Sequence, residues 1–382
     1  DQSSTTNSIH TLGANATDKI ISKNSNQVVY IYVKLYRSFS DSATTVPTEN
    51  TTGSQDNSKY YIAASLPLET PRTSGTYFQG TAFQKYQLNG SSDFFLSDLQ
   101  LTFSEETGLT IPRTHLLESD YHTLGFLNGE DTFNSVPEKF KIIYYNADGT
   151  QNGSTATIEN ISNTGGATPV SGGEVNTNEE RILYLGCGAA NLEGYEDGGS
   201  NPQRPSNHSG WSYYTVTAFN SALSSKKSKD YYFVKLQNSC KGFKSRRLAW
   251  INSLGCYDYF TFNMKSTQSL EVKRNSYGKL IGEFNSTEYS YQNYESSKKV
   301  REVEATRVET LNTDYITEED AQLLENLLMS TDVFMVENAD TEYTIPVMVT
   351  DNKIVRKTKA NNKLKIQYTI KIEYSNPINT NS

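Results

Sequence analysis

The sequence predicts a mainly β fold: two antiparallel β-sandwich-like domains with one short α-helix near residues 318–329. Three observations carry that expectation. Charged residues are only 20% of the chain although the mean hydropathy is −0.61, so the polarity comes from uncharged Ser, Thr and Asn, which suit strands and loops better than surface helices. Aromatic residues reach 12%, with 26 Tyr and 16 Phe, well above what disordered chains carry. Several segments also alternate apolar and polar residues with a period of two, the strand signal.

In chain order, residues 1–27 have no apolar period and read as an extended arm that takes order from a partner. Residues 28–35 (VVYIYVKL) are apolar without interruption, as in a strand covered on both faces. A polar loop separates them from a strand at 59–66. Phe95, Leu99, Leu101 and Phe103 share one parity and predict a strand over 93–103. Residues 139–145 (KFKIIYY) lead into Asn146-Ala147-Asp148-Gly149, and Asp-Gly between strand-like runs signals a hairpin returning over 154–161. The Gly- and Pro-rich stretch that follows is a linker. It divides an N-terminal β domain, 28–178, from a C-terminal β domain, 179–382.

The second domain opens with a strand at 181–185 and a long Gly- and Asn-rich loop over 186–210. Strands at 211–219 and 230–236 flank a polar turn. Thr317-Glu318-Glu319-Asp320 starts a helix, with acids in the first turn where the dipole favours them, and Leu323, Leu324, Leu327 and Leu328 fall on its inner face. Strands at 333–336, 343–349 and 353–358 come next. Residues 364–374 alternate cleanly, which predicts a strand with one wet face. No fixed-period repeat is apparent.

A formal charge of −8 and a pI of about 5.2 speak against direct nucleic-acid binding over the whole chain. No run approaches the roughly 20 apolar residues of a membrane span, and the first 19 residues have no apolar core of a secretory leader. Cys187, Cys240 and Cys256 lack metal or redox spacing and read as reduced structural thiols. His10, His115, His122 and His208 form no zinc motif, and the hydrolase elbow, P-loop and dinucleotide fingerprints are absent. No cofactor or metal and no catalytic residue is expected. Glu105, Glu106, Glu118 and Asp120, or Glu193, Glu196 and Asp197, are read first as solvated loop acids, with a glycosidase pair or a calcium loop as the sharper alternatives. Trp211, Tyr213, Tyr214, Tyr257 and Tyr259 read mainly as strand core. The first three are also the candidate glycan contacts of an alternative function, a surface adhesin or carbohydrate-binding module. Lys241, Lys244 and Arg246, next to Arg247, are a candidate salt-sensitive contact with an acidic neighbour.

Residues 246–263, RRLAWINSLGCYDYFTFN, resemble a signature of structural virion proteins of tailed bacteriophages, especially short-tailed and crAss-like phages of Bacteroidetes. Arg247, Leu248, Ala249, Trp250, Asn252, Gly255, Tyr257, Asp258, Tyr259, Phe260 and Phe262 match it. Cys256 stands where a second glycine is common, which bears on the turn geometry. The order of the following elements is similar as well, so the resemblance covers about the last 200 residues. It implies a non-enzymatic tail or baseplate-type protein, located in the virion and assembling with copies of itself and other virion proteins. Arg247 and Trp250 would anchor the turn, and Tyr257, Tyr259 and Phe262 would face the core, with Asp258 and Thr261 turned away.

Overall fold

The computed structural model describes residues 9–13, 20–23, 28–39, 48–62, 87–88, 91–92, 94–101, 112–127, 137–160, 182–195, 201–236, 242–316, 318–337, 344–351, 353 and 366–376. The fold is mainly β, with 47% strand and 11% helix.

A short strand, β1 (Ile21–Lys23), precedes a ribbon of β2 (Val28–Phe39) and β3 (Thr48–Ile62), paired antiparallel from Val28↔Ile62 to Phe39↔Thr48. β3 thus begins inside the stretch expected to be a polar loop. Ladder hydrogen bonds join backbones whatever the side chains, and the β-branched Thr48, Thr51 and Thr52 favour extension. A two-residue hairpin follows, β4 (Gln87–Leu88) with β5 (Ser91–Ser92). The strand expected over 93–103 is instead a single bridge, Phe95↔Phe126, followed by a 3-10 turn at Asp98–Leu101. The polar side chains of Ser97 and Asp98 bond elsewhere and draw the backbone out of the ladder.

Next come β6 (Arg113–Leu116), β7 (Thr123–Leu127), β8 (Lys139–Tyr145) and β9 (Ala156–Glu159). The β8–β9 pair is antiparallel as expected. Its connection turns at Gly149, whose φ of +82° favours glycine. Beyond the linker lie β10 (Ile182–Gly186), the helix α1 (Ala189–Gly194), β11 (Tyr213–Phe219) and β12 (Tyr231–Lys235). α1 is a second helix, inside a stretch expected to be loop. A three-stranded antiparallel sheet runs β1-β10-β7, and a five-stranded sheet runs β6-β12-β11-β8-β9. Within the latter β6 and β12 are parallel, a departure from the all-antiparallel expectation, permitted by the more than one hundred residues that connect them.

The remaining elements are β13 (Arg246–Ile251), β14 (Tyr257–Phe262), β15 (Thr267–Gly278), β16 (Glu283–Phe284), β17 (Tyr289–Ser290), β18 (Lys298–Asn312), the helix α2 (Glu318–Met329), β19 (Val333–Val336), β20 (Thr344–Val349) and β21 (Thr369–Tyr374). All except β16, β17 and α2 form one seven-stranded antiparallel sheet, ordered β14-β13-β19-β20-β21-β18-β15. α2 occupies the expected residues and buries Leu323, Leu324 and Leu327. Ile370 and Ile372 of β21 are buried between less buried Thr369, Lys371 and Glu373, as the two-residue period requires. Thr317, Phe103, Cys240, Lys241 and most of 353–358 lie outside the described residues.

The three larger sheets share one core. Phe126 of β7 meets Phe140 of β8 at 4.8 Å, and the His122 ring lies 5.0 Å from Phe233 of β12 and 4.5 Å from Tyr259 of β14. Strands from both sides of residue 178 pair within two of these sheets, β7 with β10 and β8 with β11. The expected boundary therefore does not separate two sandwiches: buried faces on either side of the linker have only each other to cover them. Nor are the described residues of the expected arm unattached. His10, Thr11, Leu12, Ile20 and Ile21 are buried, and β1 takes the edge of β10, where its hydrogen bonds are satisfied within the chain.

Candidate functional site

The β13–β14 hairpin holds residues 246–262 of the expected signature segment and lies where the sheets converge. Its turn closes with Asn252 N–H donating to Cys256 O at 2.7 Å and Gly255 N–H to Asn252 O at 3.0 Å. Gly255 has φ +83°, the left-handed region where a Cβ costs roughly 1 kcal/mol. Leu248, Trp250, Tyr259 and Phe262 are fully or almost fully buried and Tyr257 nearly so. Asp258 and Thr261 are buried too, which corrects the expectation that they face away from the core. β14 is an edge strand covered on both faces, with β6 and β7 packed against it.

Two clusters of buried polar groups explain how those positions are tolerated. In the first, Arg247 Nε donates to Tyr121 O at 2.7 Å, and its Nη1 lies 3.3 Å from Asp120 Oδ2, which also accepts from Thr261 Oγ1 at 2.7 Å. Arg247 Nη2 is 2.9 Å from His122 Nδ1. Guanidinium has no acceptor, so Nδ1 accepts and the imidazole is neutral with its proton on Nε2. Burial, then the Arg247 charge, holds His122 well below its usual range. Tyr259 OH joins His10 Nδ1 (2.7 Å) to Thr123 Oγ1 (2.6 Å), and burial lowers His10 to about 3.

In the second cluster, two buried carboxylates are clasped together. Asp258 accepts from Ser97 Oγ (2.5 Å), Asp98 N–H (2.8 Å) and Asn252 Nδ2 (3.0 Å). Asp98 accepts from Ser253 Oγ (2.5 Å), Ser253 N–H (2.9 Å) and Asn326 Nδ2 of α2 (3.1 Å). Burial, and then the neighbouring Asp98 charge, pushes Asp258 up to about 7; burial also raises Asp98. Every oxygen of the pair is engaged by the protein, so it fastens the 3-10 turn and α2 to the signature hairpin.

The basic cluster is turned inward. Lys244 is exposed, with Nζ 3.3 Å from Glu337, but Arg246 is buried between Glu309 (Nε to Oε1, 2.7 Å) and Glu337 (Nη1 to Oε1, 2.6 Å). Between these residues and Asp120 lies a cleft of about 130 Å³. It is smaller than the ~300 Å³ at which ligand pockets begin, and its charges already have partners. Trp211 and Tyr214 are buried and Tyr213 is half-buried against Tyr145 at 4.8 Å, so two of the three candidate glycan contacts offer no face to a sugar. Glu118 pairs with Lys235 and Glu193 accepts from Ser206, while Glu105, Glu106, Glu196 and Asp197 lie outside the described residues. Among the described residues no three His, Cys, Asp or Glu groups gather as metal ligands. Cys187 and Cys256 are buried free thiols, His115 is half-buried, and His208 stacks on Tyr144 at 4.1 Å.

The exposed feature is one that sequence reasoning missed. β15 and β18 pair from Thr267↔Thr310 to Gly278↔Lys298, and because β21 flanks β18 only at Val308–Asn312, residues 270–278 and 298–307 continue beyond the sheet as a two-stranded ribbon, about 30 Å long at ~3.4 Å per residue. Glu309, fully buried at its base, accepts from Arg246, Gln268 (2.9 Å) and Tyr374 OH (2.7 Å), so the signature hairpin roots the ribbon. Val272 pairs with Ala305 and Arg274 with Val303, which puts Leu270, Val272, Val303 and Ala305 on one face. The other face carries Lys273–Glu304 and Glu271–Lys371 ion pairs. The β16–β17 turn caps the ribbon, and around it Leu280 (92% exposed), Tyr294 (85%), Phe284 (74%) and Tyr291 (62%) stand in solvent. The alternation in Leu270-Glu271-Val272-Lys273 and Val303-Glu304-Ala305 was the available signal. No protein-family model, no curated protein and no solved structure matches the chain.

Proposed function

We propose that this chain is a non-enzymatic structural subunit of a tailed-phage virion, placed in the tail or baseplate. It works through contacts with copies of itself and with other virion proteins, without direct nucleic-acid contact or membrane insertion. The observation that carries this reading is the ribbon, which holds a large apolar and aromatic surface in solvent at the end of a rooted stalk. Exposed apolar patches of this kind mark protein interfaces, and an isolated two-stranded hairpin is at best marginally stable until something packs on it. The resemblance of residues 246–263 to virion proteins supplies the setting. The buried charged groups of that segment support the same view, because Arg246, Arg247 and Asp258 are all engaged within the chain and Arg246 roots the ribbon.

Purified particles of the phage that encodes the chain provide the test. Mass spectrometry and immunogold labelling should find it in fixed copy number on the tail. Particles complete without it would overturn the reading.

A further inference from the structure

We propose that the ribbons of two copies pair antiparallel, the acidic aromatic tip of each lying on the basic neck of the other. This deepens the assembly reading above and rests on it. Charge is segregated along the ribbon. Residues 280–297 at the tip contain Glu283, Glu288 and Glu295 and no Lys or Arg. The neck below it contains Arg274, Lys279, Lys298, Lys299 and Arg301 against one acid, Glu302, which sits across from Asn275 and accepts from its Nδ2 at 3.2 Å, so the neck is net positive. None of these five cations forms an ion pair among the described residues, whereas Lys273 and Glu304 further down the stem pair with each other. A cationic collar next to an anionic tip cannot neutralise itself along a stiff ribbon, but a second ribbon running the opposite way brings tip to neck twice. That is the arrangement of a two-fold interface, in which each contact occurs in both directions.

The apolar surface fits the same partner. The rings of Tyr289 and Tyr291 lie 6.4 Å apart, and Phe284 pairs directly across from Tyr289. Phe284, Tyr289, Tyr291 and Tyr294 at their exposed fractions contribute on the order of 500 Å² per copy. Leu280 beside the tip, 92% exposed, carries the patch toward the ~800 Å² per partner of a stable interface. Opposite charges flanking this apolar centre fix the direction of pairing, because the parallel alternative would set tip on tip and neck on neck.

Light scattering of the full chain with charge-reversed variants tests the pairing. One variant reverses the tip (Glu283→Lys, Glu288→Lys) and the other the neck (Lys279→Glu, Lys298→Glu, Lys299→Glu). All five side chains are exposed, and thermal melts confirm that each variant folds. The wild type should be a dimer, each variant alone should dissociate at least about 100-fold more readily, and an equimolar mixture should restore the dimer because opposite charges again meet at both contacts. A monomeric wild type, variants that dimerise as well as the wild type, or a mixture that stays monomeric would each overturn the pairing. Particle analysis remains a separate readout: a chain found in virions but monomeric alone removes only the tip-to-neck pairing, and a dimer missing from virions removes only the virion reading.

Discussion

Asp258 is the residue at which burial and charge conflict most. Its carboxyl titrates at about 7 in the folded protein, against about 3.9 when exposed. The folded state therefore keeps a proton that the unfolded chain releases, so the associated stability is complete below about pH 4 and is lost as pH rises to about 7. His10, His115 and His122 act with the opposite sign, since burial lowers each and favours the folded state only above about pH 6.5. Between pH 6.5 and 8 the two effects oppose each other, so the carboxylate is read by comparison: relative to wild type, Asp258→Asn, its amide nitrogen facing Ser97 Oγ, should gain about 1 kcal/mol in urea unfolding across that interval. A second residue-scale prediction concerns packing. A Cβ on Gly125 would stand 2.3 Å from Cys256 Sγ, so Gly125→Ala should cost about 1–3 kcal/mol by overpacking, and adding Cys256→Gly should recover most of it in the same melt. The cysteine in the turn of the β13–β14 hairpin is thus accommodated by a glycine on the facing strand, β7.

At the scale of elements, the signature hairpin holds its neighbours by charge as well as by packing. Arg246 is the buried cation beside Glu309 of β18, and removing it strands a carboxylate with no exposure. Arg246→Met should lower stability by about 3–5 kcal/mol. It should also speed amide exchange at the ribbon base before exchange rises elsewhere, and hydrogen exchange with mass spectrometry would resolve that order. Most elements were legible: α2 from its leucine spacing and acidic start, β8 and β9 from the Asp-Gly turn, β21 from its two-residue period. Two were not. The 93–103 segment carried a strand pattern but turns at Asp98, because a carboxylate contact more than 150 residues away outweighs local preference. β3 was hidden by the polarity of its first half, since backbone pairing leaves no mark in side-chain hydropathy.

For the whole molecule, the ribbon stands apart from the shared core. Replacing residues 280–297 by a tight turn should leave the melting temperature within about 2 °C of wild type, because a change under ~1 kcal/mol moves a protein of this size by no more than about 2–4 °C. The same deletion should abolish the dimer in light scattering. Added salt should also weaken that dimer, as charge steering between exposed groups is screened beyond a Debye length of about 8 Å at physiological ionic strength. A deletion that unfolds the chain would show that the ribbon belongs to the core after all.

The sequence by itself determined the class of fold, the position of α2, many of the strand segments and the buried aromatic character of residues 257–262, because these depend on local periodicity and composition. Tertiary structure alone decided that residues on both sides of 178 share sheets, that Arg246 and Asp258 turn inward, and that the acidic tip and basic neck of one ribbon stand free of the core. Burial and charge pairing depend on which distant segments meet, and long-range pairing in a β protein is set by chain closure over tens to hundreds of residues. No local window contains that information.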